Sequence, residues 1–125
     1  LSMAFVDDKF DTPVSIVCLC GSTKFEEEFA LVNAYETLNG NIVIGPGVFA
    51  HSRELNLPAK TKEDLDELHM HKIDMADYLW VIDKDGYIGE STRQELMYAS
   101  DKRLRYWSKE EETVRGTLSV FATEA

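Results

Sequence analysis

The residues best suited to chemistry lie at positions 81–99, in the sequence VIDKDGYIGESTRQELMYA. An apolar run over residues 78–82 leads into a turn rich in Gly and Asp, and the pattern predicts a helix that opens at Ser91. Glu95 falls within the first turns of that helix, where the helix dipole favours the carboxylate anion. A glycine loop that enters a helix N-terminus can hold an anion or a sugar, and a carboxylate beside it can attack a glycosyl carbon.

The same stretch also has a purely structural interpretation. Ser91 is a good N-cap, and Gln94 is placed to complete a capping box with it. A Glu in the first turn of a helix is ordinary, so Glu95 alone does not indicate catalysis. Taken by itself, the stretch favours the structural interpretation, and support for a catalytic one must come from other motifs.

A second candidate loop is CLCGSTKF, in which Gly21, Ser22 and Thr23 follow an apolar run and precede a helical pattern. Free backbone N–H groups at such a junction, with Lys24 as a nearby cation, can cradle a phosphate or a sugar hydroxyl. Gly-Ser-Thr is equally a good turn and helix cap. The loop has neither G-x-G-x-x-G spacing nor a Walker lysine, so dinucleotide binding and P-loop chemistry are not expected.

Acidic residues gather after the apolar run at 78–82, namely Asp83, Asp85, Glu90 and Glu95. Such a group is compatible with metal binding and with acid–base chemistry, although solvated turn residues are the default interpretation of Asp83 and Asp85. Arg93 extends from the same turn and either pairs with Glu90 or reaches a phosphate.

The cysteine and histidine residues give only a weak metal signal. His69 and His71 lie on one predicted helix, where a rotation of about 100° per residue turns their rings about 200° apart. Cys18 and Cys20 lie two apart on a predicted strand, and a single C-x-C motif is interpreted as two reduced core residues. No metal site is therefore predicted.

Composition limits the class of protein. The chain has 125 residues, and residues 4–125 are predicted to form one domain with a single core. Lys and Arg number 13 against 23 Asp and Glu, and the net charge of −10 argues against polymeric nucleic acid and an anionic membrane as partners. The sequence shows no membrane-length apolar run and no signal-peptide pattern, and its cysteines are interpreted as reduced, so a cytoplasmic protein is expected.

Hydrophobic periodicity predicts strands that alternate with helices. Strands are predicted at residues 14–20, 41–45, 78–82 and 103–107, and residues 117–122 are either a last strand or a frayed tail. Helices are predicted to begin at Thr23, Thr61, Ser91 and Ser108, the last with Glu111 as a capping box, and a long loop covers residues 46–58. This alternation predicts an α/β fold, a flavodoxin-like three-layer sandwich with a parallel sheet of four or five strands in the order 2-1-3-4(-5). Ligands of such sheets bind beyond the carboxyl ends of the strands, where residues 21–24, 45–53 and 83–95 should converge.

Three motifs, CGSTKF, KIDMADYLWVI and GYIGESTRQELMYA, together resemble the nucleoside 2-deoxyribosyltransferase-like superfamily over about residues 15–107. That superfamily includes 2′-deoxynucleoside 5′-monophosphate N-glycosidases and pyrimidine-nucleotide hydrolases. The resemblance implies a small nucleoside or nucleotide as ligand. It also implies a homodimer or larger homo-oligomer in which a neighbouring chain completes the site. The chemistry of these enzymes requires no metal or organic cofactor.

By the same resemblance, Glu95 is the nucleophile that attacks C1′ of the sugar and displaces the base. Gly89 and Ser91 match the loop that meets the 5′-phosphate or 5′-hydroxyl, and the loop at residues 21–23 matches the one beside the sugar. The sequence departs from the family at His69, where many members have an Asp that orients the sugar. It also has Cys18 and Leu19 in the region where many members place a Tyr. A protonated His69 could instead assist the departing base.

The expected site therefore comprises two catalytic and seven substrate- or phosphate-binding residues. The catalytic residues are Glu95 and His69, and the binding residues are Gly21, Ser22, Thr23, Lys24, Gly89, Ser91 and Arg93. Two classes of function stay open, an enzyme that acts on an N-glycosidic bond and a catalytically inactive nucleotide-binding sensor or interaction module. A structural accessory protein with an empty crevice is a third, weaker possibility.

Overall fold

The computed structural model describes residues 13–122, so the two ends of the predicted domain, 4–12 and 123–125, lie outside the described residues. The strands are β1 (Ile16–Gly21), β2 (Ile42–Ile44), β3 (Tyr78–Ile82) and β4 (Arg103–Tyr106). The helices are α1 (Glu26–Leu38), α2 (Ala59–Met75), α3 (Glu90–Tyr98) and α4 (Trp107–Val120), and short 3₁₀ turns cover Thr23–Phe25 and Lys84–Gly86. Among these helices, none is both long and apolar enough to cross a membrane.

The four strands form one parallel sheet in the order β2-β1-β3-β4. Strand β1 lies inside the sheet, where Cys18 is in register with Ile44 of β2 on one side and with Leu79 of β3 on the other. Parallel neighbours require crossover connections, which the helices supply. The predicted flavodoxin-like α/β sandwich with strand order 2-1-3-4 is confirmed.

Helices cover both faces of the sheet, which explains why β1 and β3 are apolar along almost their whole length. The face toward α1 and α4 buries the larger core, including Trp80 and Trp107. The opposite face, toward α2 and α3, buries Cys18, Cys20 and Ile73. Because side chains alternate along a strand, both thiols point to this second face.

A buried carboxylate ties the larger core together. Glu36 is only 1% exposed, and its Oε2 accepts hydrogen bonds from the Tyr78 hydroxyl at 2.6 Å and the Trp80 indole at 2.7 Å. The same oxygen lies 3.2 Å from Nη1 of Arg105. Burial, together with the hydrogen bond to Glu36, raises the pKa of Tyr78 to about 12. Glu36 is therefore a fully partnered structural anion.

The structure corrects the sequence prediction at the fifth strand, at the start of α4 and at Asp83. Helix α4 continues to Val120, so the optional fifth strand over residues 117–122 is wrong. The predicted capping box at Ser108 is also wrong, because α4 begins at Trp107. The carboxylate of Asp83 instead accepts hydrogen bonds from the backbone N–H of Ser108 at 2.8 Å and from its hydroxyl at 2.7 Å. Asp83 is thus a buried residue that satisfies the start of α4 rather than a solvated turn residue.

Candidate functional site

A cleft of about 770 Å³ opens where the loops after β1, β2 and β3 meet. Its walls are the loop that follows β2, one side of α2 and the first turns of α3. This is the carboxyl edge of the sheet, the usual ligand site of open α/β folds. The predicted convergence of the three loops at one crevice is therefore confirmed.

The loop after β1 forms one wall, and glycine is required at its start. Gly21 has a φ of 157°, and a Cβ there would lie 2.8 Å from the carbonyl oxygen of Ile82. Ser22 accepts a hydrogen bond from the backbone N–H of Lys24 at 3.3 Å. The hydroxyl of Thr23 accepts one from the backbone N–H of His51 at 3.3 Å, which ties this loop to the loop after β2.

The N-terminus of α3 forms another wall. Gly89 is the N-cap, and within residues 13–122 no side-chain hydrogen bond caps the helix, so the predicted N-cap role of Ser91 is wrong. Gln94 donates to Glu90 Oε1 at 2.9 Å instead of completing a capping box. Gly89, Ser91 and Thr92 line the cleft at this end of the helix. First-turn N–H groups without side-chain caps, together with the helix dipole, favour an anion here.

Glu95 lies one turn deeper along α3 and lines the cleft while only 8% exposed. Its Oε1 is 3.6 Å from Nε2 of His69. Burial raises the pKa of Glu95 to about 7, against the lowering effect of His69, and the charges of Asp66 and Cys18 raise it further. A carboxyl group with this pKa exchanges its proton near neutral pH, as an acid–base or nucleophilic group must.

Helix α2 brings His69 beneath the same cleft, 7% exposed and close to both cysteines. Its Nε2 lies 3.4 Å from Sγ of Cys20 and 3.8 Å from Sγ of Cys18. Burial alone would lower the pKa of His69, but the hydrogen bond with Cys18 and the charge of Glu95 outweigh burial, and the pKa is raised.

The two thiols of this cluster differ in acidity. The hydrogen bond from Cys20 lowers the pKa of Cys18 to about 6, with His69 adding to the effect against burial. The same hydrogen bond and burial raise the pKa of Cys20. Both cysteines are free and buried, as the sequence predicted.

The two predicted phosphate-binding cations do not line the cleft. The ammonium of Lys24 stands 3.5 Å from the centre of the Tyr87 ring. Arg93 lies with Nε 3.6 Å from Glu90 Oε2, which is the pairing that the sequence left open. The structure therefore brings together the glycine loops, Ser91, His69 and Glu95, but neither Lys24 nor Arg93.

Sequence reasoning missed several residues of the α2 wall. Asp66 and Lys72, which were missed, line the cleft on either side of the predicted His69, because the three residues recur every three positions on one side of a helix. Lys72 donates from Nζ to the carbonyl oxygen of Gly45 at 2.7 Å and so holds the loop after β2 against α2. The three-residue spacing was a readable signal, but it does not reveal which side of α2 meets the sheet.

The chain matches no protein-family model, and neither curated proteins nor solved structures show significant similarity to it. A function must therefore be argued from the cleft and from the motifs that build it. The cleft combines a carboxyl group that ionises near neutral pH, an imidazole with a raised pKa and a helix N-terminus. These groups can respectively attack or stabilise a cationic carbon, donate a proton to a leaving group and hold an anion.

Proposed function

We propose that this protein cleaves, or transfers a group at, the N-glycosidic bond of a nucleoside or nucleoside 5′-monophosphate. The observation that carries the proposal is the position of Glu95, whose carboxyl group lines the cleft one turn from the uncapped N-terminus of α3. A single ligand could then meet an anion site at one end and a carboxylate at the other. The cleft volume of about 770 Å³ lies within the usual range for small-molecule sites.

In the proposed reaction, a carboxylate oxygen of Glu95 attacks C1′ and forms a C–O bond while the C1′–N bond breaks. The electron pair of the broken bond leaves with the base, which takes up a proton that a charged His69 can donate. Water then hydrolyses the glycosyl ester and regenerates the carboxylate, or a second base accepts the sugar instead. The first-turn amides of α3, with Ser91, hold the 5′-phosphate or 5′-hydroxyl.

The test is release of free base from a panel of nucleosides and nucleoside 5′-monophosphates, followed by chromatography. We expect Glu95→Ala to lower the rate by about a thousandfold or more while ligand binding survives, because the nucleophile is lost and the anion site is not. Glu67→Gln is the matched control, since Glu67 is an exposed acid of α2 that does not line the cleft. An unchanged rate in Glu95→Ala would exclude the proposed mechanism.

A second candidate is a nucleotide-binding sensor without chemistry. The pKa of Glu95 is raised to about 7, so about half of the carboxyl groups carry a proton at that pH and are poor nucleophiles. Thermal stabilisation of the protein by a nucleotide, with no base released from any member of the panel, would favour this candidate. Base release that depends on Glu95 would favour the enzyme.

The proposal includes a homodimer or larger homo-oligomer. Leu65 and Leu68 line the cleft from α2 and are 36% and 50% exposed, which makes one rim of the site apolar. A neighbouring copy that covered this rim would bury both side chains and close the cleft on a ligand. Sedimentation equilibrium tests this part, because a strictly monomeric protein at assay concentrations would contradict it.

A further inference from the structure

Cys18, Cys20 and His69 form a cluster, and the proposed glycosidic reaction uses neither of its two thiols. Their Sγ and Nε2 atoms all lie within 4.8 Å of one another, and all three residues are buried. Two of the three come from β1 and the third from α2, so the cluster joins the centre of the sheet to the helix above it. Two thiolates and an imidazole are preferred ligands of zinc.

The distances match those between ligands of a tetrahedral zinc ion. Zinc bonds of about 2.3 Å to sulfur and 2.0–2.1 Å to nitrogen place these two ligand atoms about 3.6 Å apart at a tetrahedral angle. Nε2 of His69 lies 3.8 Å from Sγ of Cys18 and 3.4 Å from Sγ of Cys20. Each separation is within about 0.2 Å of the tetrahedral value, so the imidazole lies at the distance of a shared zinc ion from both thiols.

Glu95 lies beside the cluster but outside its three close ligand atoms. Its Oε1 is 3.6 Å from Nε2 of His69, so the carboxyl group approaches the cluster from the imidazole side. Both Glu95 and His69 line the cleft, which gives an ion a path from solvent to the buried thiols. We propose that Cys18, Cys20 and His69 bind one zinc ion and leave its fourth position to water or to another ligand from the cleft.

The fold fixes the ligands before the ion arrives. Strand β1 is paired with β3 at both cysteines and with β2 at Cys18, so the backbone that carries the two thiols is fixed. A site on paired strands and a packed helix holds its geometry better than one on loops. The site shares His69 with the proposed glycosidic reaction, but zinc binding does not rest on that reaction, since it requires only the ligand atoms themselves.

Cobalt tests the site directly, because a Co²⁺ ion bound by thiolates shows a charge-transfer band in the near ultraviolet. The full chain, freed of metal and kept reduced, is titrated with Co²⁺ and then with Zn²⁺. We expect one equivalent of Co²⁺ to bind, the thiolate band to appear, and Zn²⁺ to displace the cobalt. The chain has only two cysteines, so any thiolate band from the unaltered protein must come from Cys18 or Cys20. Absence of the band, or binding well below one equivalent, would overturn the proposal.

Variants assign the ligands individually. Cys18→Ser, Cys20→Ser and His69→Gln should each bind Co²⁺ at least about tenfold more weakly, whereas His71→Gln, an exposed neighbour on α2, should bind as the unaltered protein does. Unchanged affinity in folded Cys18→Ser and Cys20→Ser would overturn the site. Circular dichroism tests whether each variant is folded. If a serine variant is unfolded, the cobalt spectrum of the unaltered protein decides whether thiolates bind the ion.

Discussion

Replacing Glu95 with Gln should stabilise the folded protein at neutral and higher pH. Burial raises the pKa of Glu95 from an ordinary 4.5 to about 7, so the native state disfavours the anion relative to the unfolded chain. The difference of about 2.5 pKa units corresponds to about 3 kcal/mol of unfolding free energy at a pH where Glu95 is ionised in both the folded and the unfolded protein. Gln has the same shape and carries no charge, so it escapes this cost.

The effect has a defined pH dependence. The pKa of Glu95 is higher in the folded protein than in the unfolded chain. Protonated Glu95 therefore contributes its full stabilisation of the folded state below about pH 4.5, and this contribution is lost as the pH rises to about 7. Urea unfolding of the parent and Glu95→Gln proteins, with a chelator present, measures the difference in unfolding free energy at several pH values. We expect no difference near pH 4 and a gain that approaches about 3 kcal/mol near pH 8.

Glu36→Gln is a matched control that should change the unfolding free energy in the opposite direction. Glu36 is buried more completely than Glu95, but it accepts hydrogen bonds from Tyr78 and Trp80 and lies beside Arg105. Glu36→Gln should therefore lose about 3 kcal/mol, since it removes one partner of a buried ion pair. The opposite result would be a Glu95→Gln protein that is no more stable than the parent at any pH. That result would refute the inference that burial of the Glu95 anion destabilises the folded protein.

Three further outcomes are expected. Gly21→Ala should cost about 1–3 kcal/mol in urea unfolding, because its Cβ would meet the Ile82 carbonyl, whereas Gly47→Ala meets no atom and should be nearly neutral. Asp83→Ala should lower the unfolding free energy by about 1–2 kcal/mol through the lost contacts with Ser108, and equal stability of the two proteins would contradict the capping role. If base release and zinc binding both hold, zinc should inhibit base release by occupying His69, the proposed proton donor, and rates that are equal with zinc and with a chelator would contradict this competition.

The alternation of apolar runs and amphipathic stretches was enough to predict a parallel sheet covered by helices on both faces. A strand such as VCLC, apolar without alternation, must be covered on both faces, and helices between strands then force parallel neighbours. Helix starts were harder, because hydroxyl residues near a helix N-terminus suggest caps at several positions. Ser91 and Ser108 both lie inside helices, and the start of α4 is satisfied by Asp83, which is distant in sequence. A partner of that kind is set by tertiary packing and leaves no local pattern.

The thiol–imidazole cluster shows where local patterns stop being informative. C-x-C places both thiols on one face of a strand, but a strand has two faces, and only the assembled sheet puts that face under α2. His69 and His71 point in different directions on their helix, and the rotation of α2 about its axis decides which of them is buried. Ile73, which is packed on the same face of the sheet, fixes that rotation and turns His69 toward Cys18 and Cys20. The histidine and the cysteines are 49 and 51 residues apart in sequence, so only tertiary packing brings the three ligand atoms together beside Glu95.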